Sequence, residues 1–460
     1  MSSARLARVE LPGFGLPARM PTLPPELYQG RVSRAREAAR ARGLDALVVY
    51  ADREHSANIS YLTGFDPRFE EAILVLRGRD EPTILVGNEC QGMAEAAPLP
   101  MRVVLHQELS LNDQPRDRSQ PLETVLRAEG LEAGTRVGIA GWKTLSRPDR
   151  LEAPAYLVDT VRELVGSDGS VENASGLFND AADGLRTVNE VEQLLVFEYA
   201  ACHTSEGVKR LLRGLRPGLT EQEGVALLGW NGMPLSCHLM LSSGPRASLG
   251  LLSPTDRVIE RGDRFTTAFG VWGALNCRAG FVVADASELP AGIADYVERL
   301  VAPYFEAVAE WYAALRVGQR GGVLQEIVDR RLGDPFFGIF LNPGHLLHLD
   351  EWVASPVRRG SEIPLRSGAA MQCDIIPATG SDYFTTNIED GIALADRALR
   401  KELAARDPAM WRRVQRRRAF MREQLGIELH EDVLPLSNIP GWLPPFLLDT
   451  ERAMTLRPDA

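Results

Sequence analysis

The sequence lacks the signatures by which soluble enzymes most often declare their chemistry. It contains no HExxH pair, no GxSxG elbow, no GxxxxGK[ST] loop and no GxGxxG opening a helix after a strand. The metalloprotease, serine-hydrolase, P-loop and dinucleotide-binding readings that rest on those motifs fall away. Its five cysteines (Cys90, Cys202, Cys237, Cys277 and Cys373) are scattered and form no CxxC. That argues against a zinc ribbon or a disulfide framework and for free thiols in a reducing, cytoplasmic compartment. No apolar run is long enough to cross a bilayer, and the N-terminus has no core of signal-peptide length, so no membrane partner is expected. Basic excess is also missing. At a net charge of −11 the chain has no electrostatic footprint for nucleic acid. The Arg-rich stretches at 31–42 and 412–422 are interleaved with apolar residues at helical spacing and read as solvated helix faces. One local absence stands out: from Arg264 to Ala284 there is neither Asp nor Glu.

What is present is an ordinary globular composition, 45% apolar and 25% charged over 460 residues. That length predicts two domains. Residues 1–24 read as a Pro-rich arm. Over 25–180, a helix (26–42) and strand-like runs such as LDALVVYAD, EAILVLRG, EPTILVG and RVGIAGW alternate with helical segments, which predicts an α/β domain. A second domain, α+β in character, is expected over 181–460. It opens on a long helix from 186, with Thr187 and Glu190 as a capping box. It continues through β-prone segments (236–243, 264–284, 369–377, 386–395) and ends in one charged helix (396–423) and a Pro-rich tail.

Three stretches carry candidate chemistry. NPGHLLHLDEW (342–352) puts His345, His348 and Trp352 after a Pro-Gly turn. AAMQCDIIPATG (369–380) sets Asp374 inside an apolar run, where a carboxylate is costly unless paired or functional. NIEDGIAL (387–394) repeats the pattern with Glu389 and Asp390. Strict alternation would turn only one of that pair inward.

In this order, these pieces resemble the creatinase, aminopeptidase P and prolidase superfamily, whose catalytic domain has the pita-bread fold. The resemblance spans nearly the whole chain: ANISYLTGF and EAILVL in the first half, then RTVNEVEQL, GLTEQE, SSGPRASLGLLSPTDRVIERGD, GHLLHLDEW and IEDGIALAD. It implies a homodimer and a site for a small-molecule substrate. It also implies a metal pair held by Asp, Asp, His, Glu and Glu, and here the sequence departs. Those positions fall on Ala268, on Ala279 for a hairpin of the usual length, on His345, on Ile376 and on Glu389. The superfamily's substrate-handling histidines fall on Leu251 and Trp352. No metal and no other cofactor is therefore expected.

Creatinase, a branch of the superfamily that works without metal, is similar through the 264–281 hairpin. That similarity implies substrate contacts at Trp272, Asn276 and Arg278, and in trans across a dimer from Arg68, Phe69 and Glu70. The favoured expectation is a metal-independent hydrolase of a C–N bond in a small nitrogen-containing substrate. His345 would act as general acid/base, since imidazole titrates near neutrality. Asp374 and Glu389 would orient it or hold a cationic nitrogen, Trp272 and Trp352 would form a wall, and Arg278 or Arg246 would grip a carboxylate. His348 and His238 stand in reserve. Two alternatives are a non-catalytic binding protein on the same fold and a metal-dependent Xaa-Pro aminopeptidase.

Overall fold

The computed structural model describes residues 4–78 and 81–458. The chain divides into two compact units, Leu23–Arg186 and a second in which the segment before Leu23 joins everything from Thr187 onward.

The Leu23–Arg186 unit is built on a mixed six-stranded sheet. Its strand order is Arg102–Leu105, Thr83–Val86, Ala72–Leu76, Ala46–Ala51, Arg136–Ala140, Ser170–Asn173. The central strand is buried at every position. Leu47, Val49 and Ala51 enter one core with Val32, Ala35 and Ala39 of the helix Pro25–Ala41. Ala46, Val48 and Tyr50 enter another with Val125, Leu126, Leu157 and Val161. A sheet covered on both faces needs apolar side chains at both parities, and LVVYA supplies them.

The second unit holds two four-stranded antiparallel sheets. The first orders Asn387–Glu389, Ala274–Phe281, Arg264–Val271 and Met240–Ser243; the second orders His345–Leu346, Ala370–Gln372, Gly391–Leu394 and Val433–Pro435. One stretch of chain belongs to both: it leaves the first sheet at Glu389 and enters the second at Gly391.

Several expectations are corrected. The long helix starts at Val191 with Glu190 at its N-cap, so Thr187 and Glu190 stand ahead of the first turn. A capping box forms one helix later, where Thr220 Oγ1 accepts from Glu223 N (3.1 Å) and Glu223 accepts from Thr220 N (2.8 Å). The single charged helix is two, Arg397–Arg406 and Pro408–Glu423. They break at Asp407 because Pro408 has no N–H to continue the ladder. The supposed tail is core, with Trp442 and Leu443 fully buried. The supposed arm is a strand, Arg5–Arg8, paired antiparallel with Arg452–Thr455.

Candidate active site

The site grows out of the carboxylate-free hairpin. Its strands join through a two-residue turn, Trp272 and Gly273. Gly273 has φ +90°, and a Cβ there would lie 2.1 Å from the Phe197 ring of the long helix, so only glycine allows that approach. The short turn fixes the register. Ala268 faces Cys277, and Cys277 in turn faces Glu389 on the next strand. Residues directly opposite in an antiparallel sheet share a face, so Ala268, Cys277 and Glu389 form one row. Ala279 lies two residues further on, opposite Thr266 and Asn387.

His345, from the second sheet, meets that row. Its Nε2 lies 3.3 Å from Glu389 Oε1 and 3.8 Å from Asp374 Oδ2, while Nδ1 lies 3.3 Å from Leu346 O. Both ring nitrogens therefore face oxygen, and a proton between Nε2 and Glu389 is shared whichever group carries it. The Cys277 thiol donates to the other Glu389 oxygen at 2.8 Å. Trp352 covers the imidazole, stacked at 4.2 Å and 15°. Glu351, beside it in sequence, completes the group: single donor atoms of His345, Glu351 and Glu389 lie within 4.8 Å of one another.

Electrostatics in this cluster favour protons on the acids. Burial, aided by Asp390, pushes Glu389 up to about 7 against the opposing Cys277 hydrogen bond and Arg278. Burial likewise takes Glu351 to about 7, with Glu389 and Asp350 raising it and His345 lowering it. Asp374 is raised well above the usual range by burial, then by Glu389. The physical reason is simple. Two ionised carboxylates about 5 Å apart repel by roughly 3 kcal/mol at an effective dielectric of about 20. Three such charges beside one imidazole need protons or another cation.

Asp390 shows why strand alternation misled. At the switch between sheets both acids turn inward: Glu389 is 4% and Asp390 1% exposed. They enter different networks. Asp390 pairs with Arg278 (2.9 Å) and accepts from Asn276, Ser437 and the Gly441 amide. Arg278 also donates to Cys277 O, Ile439 O and Trp442 O, and Asn276 contacts Thr204. The sequence placed Asn276 and Arg278 against substrate. The structure instead buries both completely and spends their polar atoms on this internal lattice.

The other expected residues are spread out. Trp272 is at the hairpin tip, its amide donating to Pro234 O. His348 is buried with its ring edge-on to Phe197 at 5.2 Å. His238 is exposed and bonds Leu251 O through Nε2 at 2.8 Å. Arg246 lies 3.4 Å from Glu221 and donates to Ser253 O, so it is already committed. In the other unit Arg68 forks onto Asp66, and Phe69 is 52% exposed. Both line a groove of about 330 Å³ with Arg53, Glu54, Asp66 and Met93. Glu70 is buried and accepts from the Glu89 and Cys90 amides, a structural task. The sequence reading missed Cys277 and Glu351. Cys277 becomes visible only once the turn length sets the register. Glu351 was in view as half of the Asp-Glu pair before Trp352.

Residues 31–173 match the family model for the creatinase/prolidase N-terminal domain. No curated protein matches the sequence as a relative. In fold the chain is similar to the prolidase from Thermococcus sibiricus, with a TM-score of 0.62 and 18% identity over 80% of this chain and 95% of that one. It is similar to the X-Pro aminopeptidase from Thermotoga maritima (TM-score 0.61, 16% identity, 80% and 95% covered). It is also similar to the prolidase from Pyrococcus horikoshii OT3 (TM-score 0.60, 18% identity, 80% and 95% covered).

The superfamily resemblance implies a metal pair, and the residues present do not fit one. Ala268 offers a methyl group, Ile376 an alkyl chain, and only His345 and Glu389 remain of the five ligands. Two ligands cannot offset two dications, and the convergent donors that do exist leave room for a single cation. Residues 31–173 thus carry a creatinase/prolidase N-terminal domain, and the fold of the chain is that of the prolidase and X-Pro aminopeptidase structures, with His345, Glu351 and Glu389 as its convergent potential metal ligands.

Proposed function

We propose that this chain is a metal-independent hydrolase that cleaves a C–N bond of a small nitrogen-containing substrate, with His345 as the proton-transferring group. The observation that carries the reading is the contact of His345 Nε2 with Glu389 Oε1 at 3.3 Å, in a cluster where Ala268 and Ile376 stand at two of the five positions of the superfamily's metal pair. The imidazole takes a proton from the attacking water and shares it with Glu389. The water oxygen bonds to the substrate carbon, the C–N bond breaks, and the leaving nitrogen receives a proton. Glu351 is suited to donate it, being partly exposed and held near neutrality. A cytoplasmic homodimer belongs to the same proposal. It rests on the superfamily resemblance and on five free thiols.

A specific observation favours a second reading, a binding protein on the same fold: the His345 ring is fully buried and capped by Trp352. Turnover separates the two. A panel of amides, amidines and guanidines is expected to include a compound hydrolysed at the same rate with and without chelator. His345→Asn should reduce that rate by at least about a hundredfold while the circular dichroism spectrum stays unchanged. Loss of activity on chelation would remove metal independence, and no turnover across the panel would favour the binding protein.

A further inference from the structure

Glu389 sits where the chain changes sheets, so strand pairing alone does not aim its side chain. Other groups hold the backbone there, residue by residue. Tyr304 clamps Ile388: its hydroxyl accepts from the Ile388 amide at 2.7 Å and donates to Ile388 O at 3.4 Å. Glu389 O accepts from Asn276 Nδ2 at 3.4 Å. Asp390 takes four donors: Asn276 Nδ2 (2.7 Å) and Ser437 Oγ (2.9 Å) on Oδ1, Arg278 and the Gly441 amide (2.9 Å each) on Oδ2. Asn276 is the joint of this lattice. Its Oδ1 accepts from Thr204 Oγ1 of the long helix at 2.8 Å, which fixes the amide so that Nδ2 faces Asp390 and Glu389 O. Turned end for end, the amide would set its oxygen against those acceptors. Arg278 grips the neighbouring strand, donating to O of Cys277, whose thiol binds Glu389 Oε2. Thr204, Asn276, Arg278, Asp390 and Ser437 are all buried. An apolar core of the same volume is often as stable as a buried ion pair, so stability alone does not account for the lattice. What a fully satisfied buried network does supply is one fixed geometry.

We propose that Thr204, Asn276, Arg278 and Asp390 are positioning residues: they act through the backbone of Glu389 and hold its carboxylate against His345 Nε2. This rests on reading His345 and Glu389 as the proton-transferring pair. It gives Asn276 and Arg278 a task in the reaction without contact to substrate. A displacement of the order of 1 Å between reacting groups costs about a hundredfold in rate, so a loosened lattice shows in turnover before it shows in the fold.

The test reads His345 by nuclear magnetic resonance in the full-length chain, isotope-labelled at the histidine ring nitrogens. The His345 Nε2 signal is identified by its loss in His345→Asn. Its position without the carboxylate is read from Glu389→Gln at the same pH. Thr204→Val and Asn276→Ala should each move the signal of the natural chain towards that position. Thr204→Ser keeps the hydroxyl and should leave the signal in place. So should Thr267→Val, which removes a buried hydroxyl of the same hairpin that bonds Met240 O. On a compound hydrolysed in the amide, amidine and guanidine panel, Thr204→Val should lower kcat by about tenfold with KM nearly unchanged. If Asn276→Ala does not fold, Thr204→Val decides alone, since it removes one hydroxyl and little volume. A signal unmoved in the lattice variants overturns the proposal. An equal movement in Thr267→Val also overturns it, by marking a general response of the fold. The two readings fail separately. A signal that follows the lattice with no turnover across the panel leaves the positioning standing and removes the hydrolase. Turnover with the signal unmoved removes the positioning alone.

Discussion

His345 has no accessible surface, yet both of its ring nitrogens face oxygen, and one of those oxygens belongs to an acid held near neutrality. That arrangement has a consequence for stability. Glu351 and Glu389 give up their protons near pH 7 in the folded chain and near the ordinary glutamate value of about 4.3 when unfolded. Between those values the folded state holds the extra protons. Stability contributed by the cluster is therefore full below about pH 4 and falls as pH rises towards 7, by up to roughly 3 kcal/mol for Glu389. Denaturant midpoints measured from pH 5 to pH 8 should decline more steeply in the natural chain than in the Glu351→Gln/Glu389→Gln variant. Parallel declines would mean that the acids are ionised throughout, with a bound cation balancing them. At this scale the sequence was informative where a side chain's meaning is local. Asp374 and Glu389 stood out as acids inside apolar runs, and His345 as part of a polar turn. Asn276 and Arg278 were misread because their partners, Asp390, Ser437 and Trp442, lie more than a hundred residues away.

The decisive element is the hairpin Arg264–Phe281, which carries Ala268 and Cys277 into the site row. Its apolar, β-prone runs predict two strands, but alternation says only that residues two apart share a face. The residue opposite Ala268 depends on the number of residues in the turn, and the sequence does not state that number. Superfamily spacing pointed to Ala279. The two-residue turn at Trp272–Gly273 selects Cys277. The same limit hid the inward turn of Asp390, because alternation fails where a strand changes sheets. Gly273 is the weak point of the element. Gly273→Ala would put a methyl group into Phe197 at a positive φ. The expected loss is about 2–4 kcal/mol, from backbone strain and overpacking together. The variant's thermal midpoint should fall by several degrees. Phe197→Ala opens a cavity of its own but removes the clash, so combined with Gly273→Ala it should cost less than the sum of the two single changes. Additive losses would show that the turn, not the Phe197 contact, sets the penalty.

Across the whole molecule, the alternation of elements in Leu23–Arg186 was legible because each strand is short, apolar and bounded by turn residues. The ends of the chain were not. Their Pro content reads as irregular, and pairing between residues about 450 apart leaves no local trace. Yet the segment before Leu23 is built into the second unit. Arg5–Arg8 forms a sheet with Arg452–Thr455, and Phe14 is 2% exposed and packs edge-on against Phe420 at 5.9 Å. Arg416 donates to Gly13 O and Asn438 to Gly15 O. Asn438 also binds Arg417, which pairs with Glu198 on the long helix. A dispensable arm could be removed without effect; this one cannot. Burying Phe14 alone is worth about 2–3 kcal/mol, and deletion also strands the Arg452–Thr455 edge, leaving backbone donors and acceptors open to other chains. Deleting residues 1–22 should therefore lower the midpoint of the second unit's unfolding and promote aggregation on heating. The Leu23–Arg186 unit should keep its own transition, and calorimetry with two resolved transitions reads both. Phe14→Ala in the full-length chain should reproduce part of the loss with the edge still covered. A truncated chain as stable as the natural one would show that the terminal strand pair adds nothing to the fold.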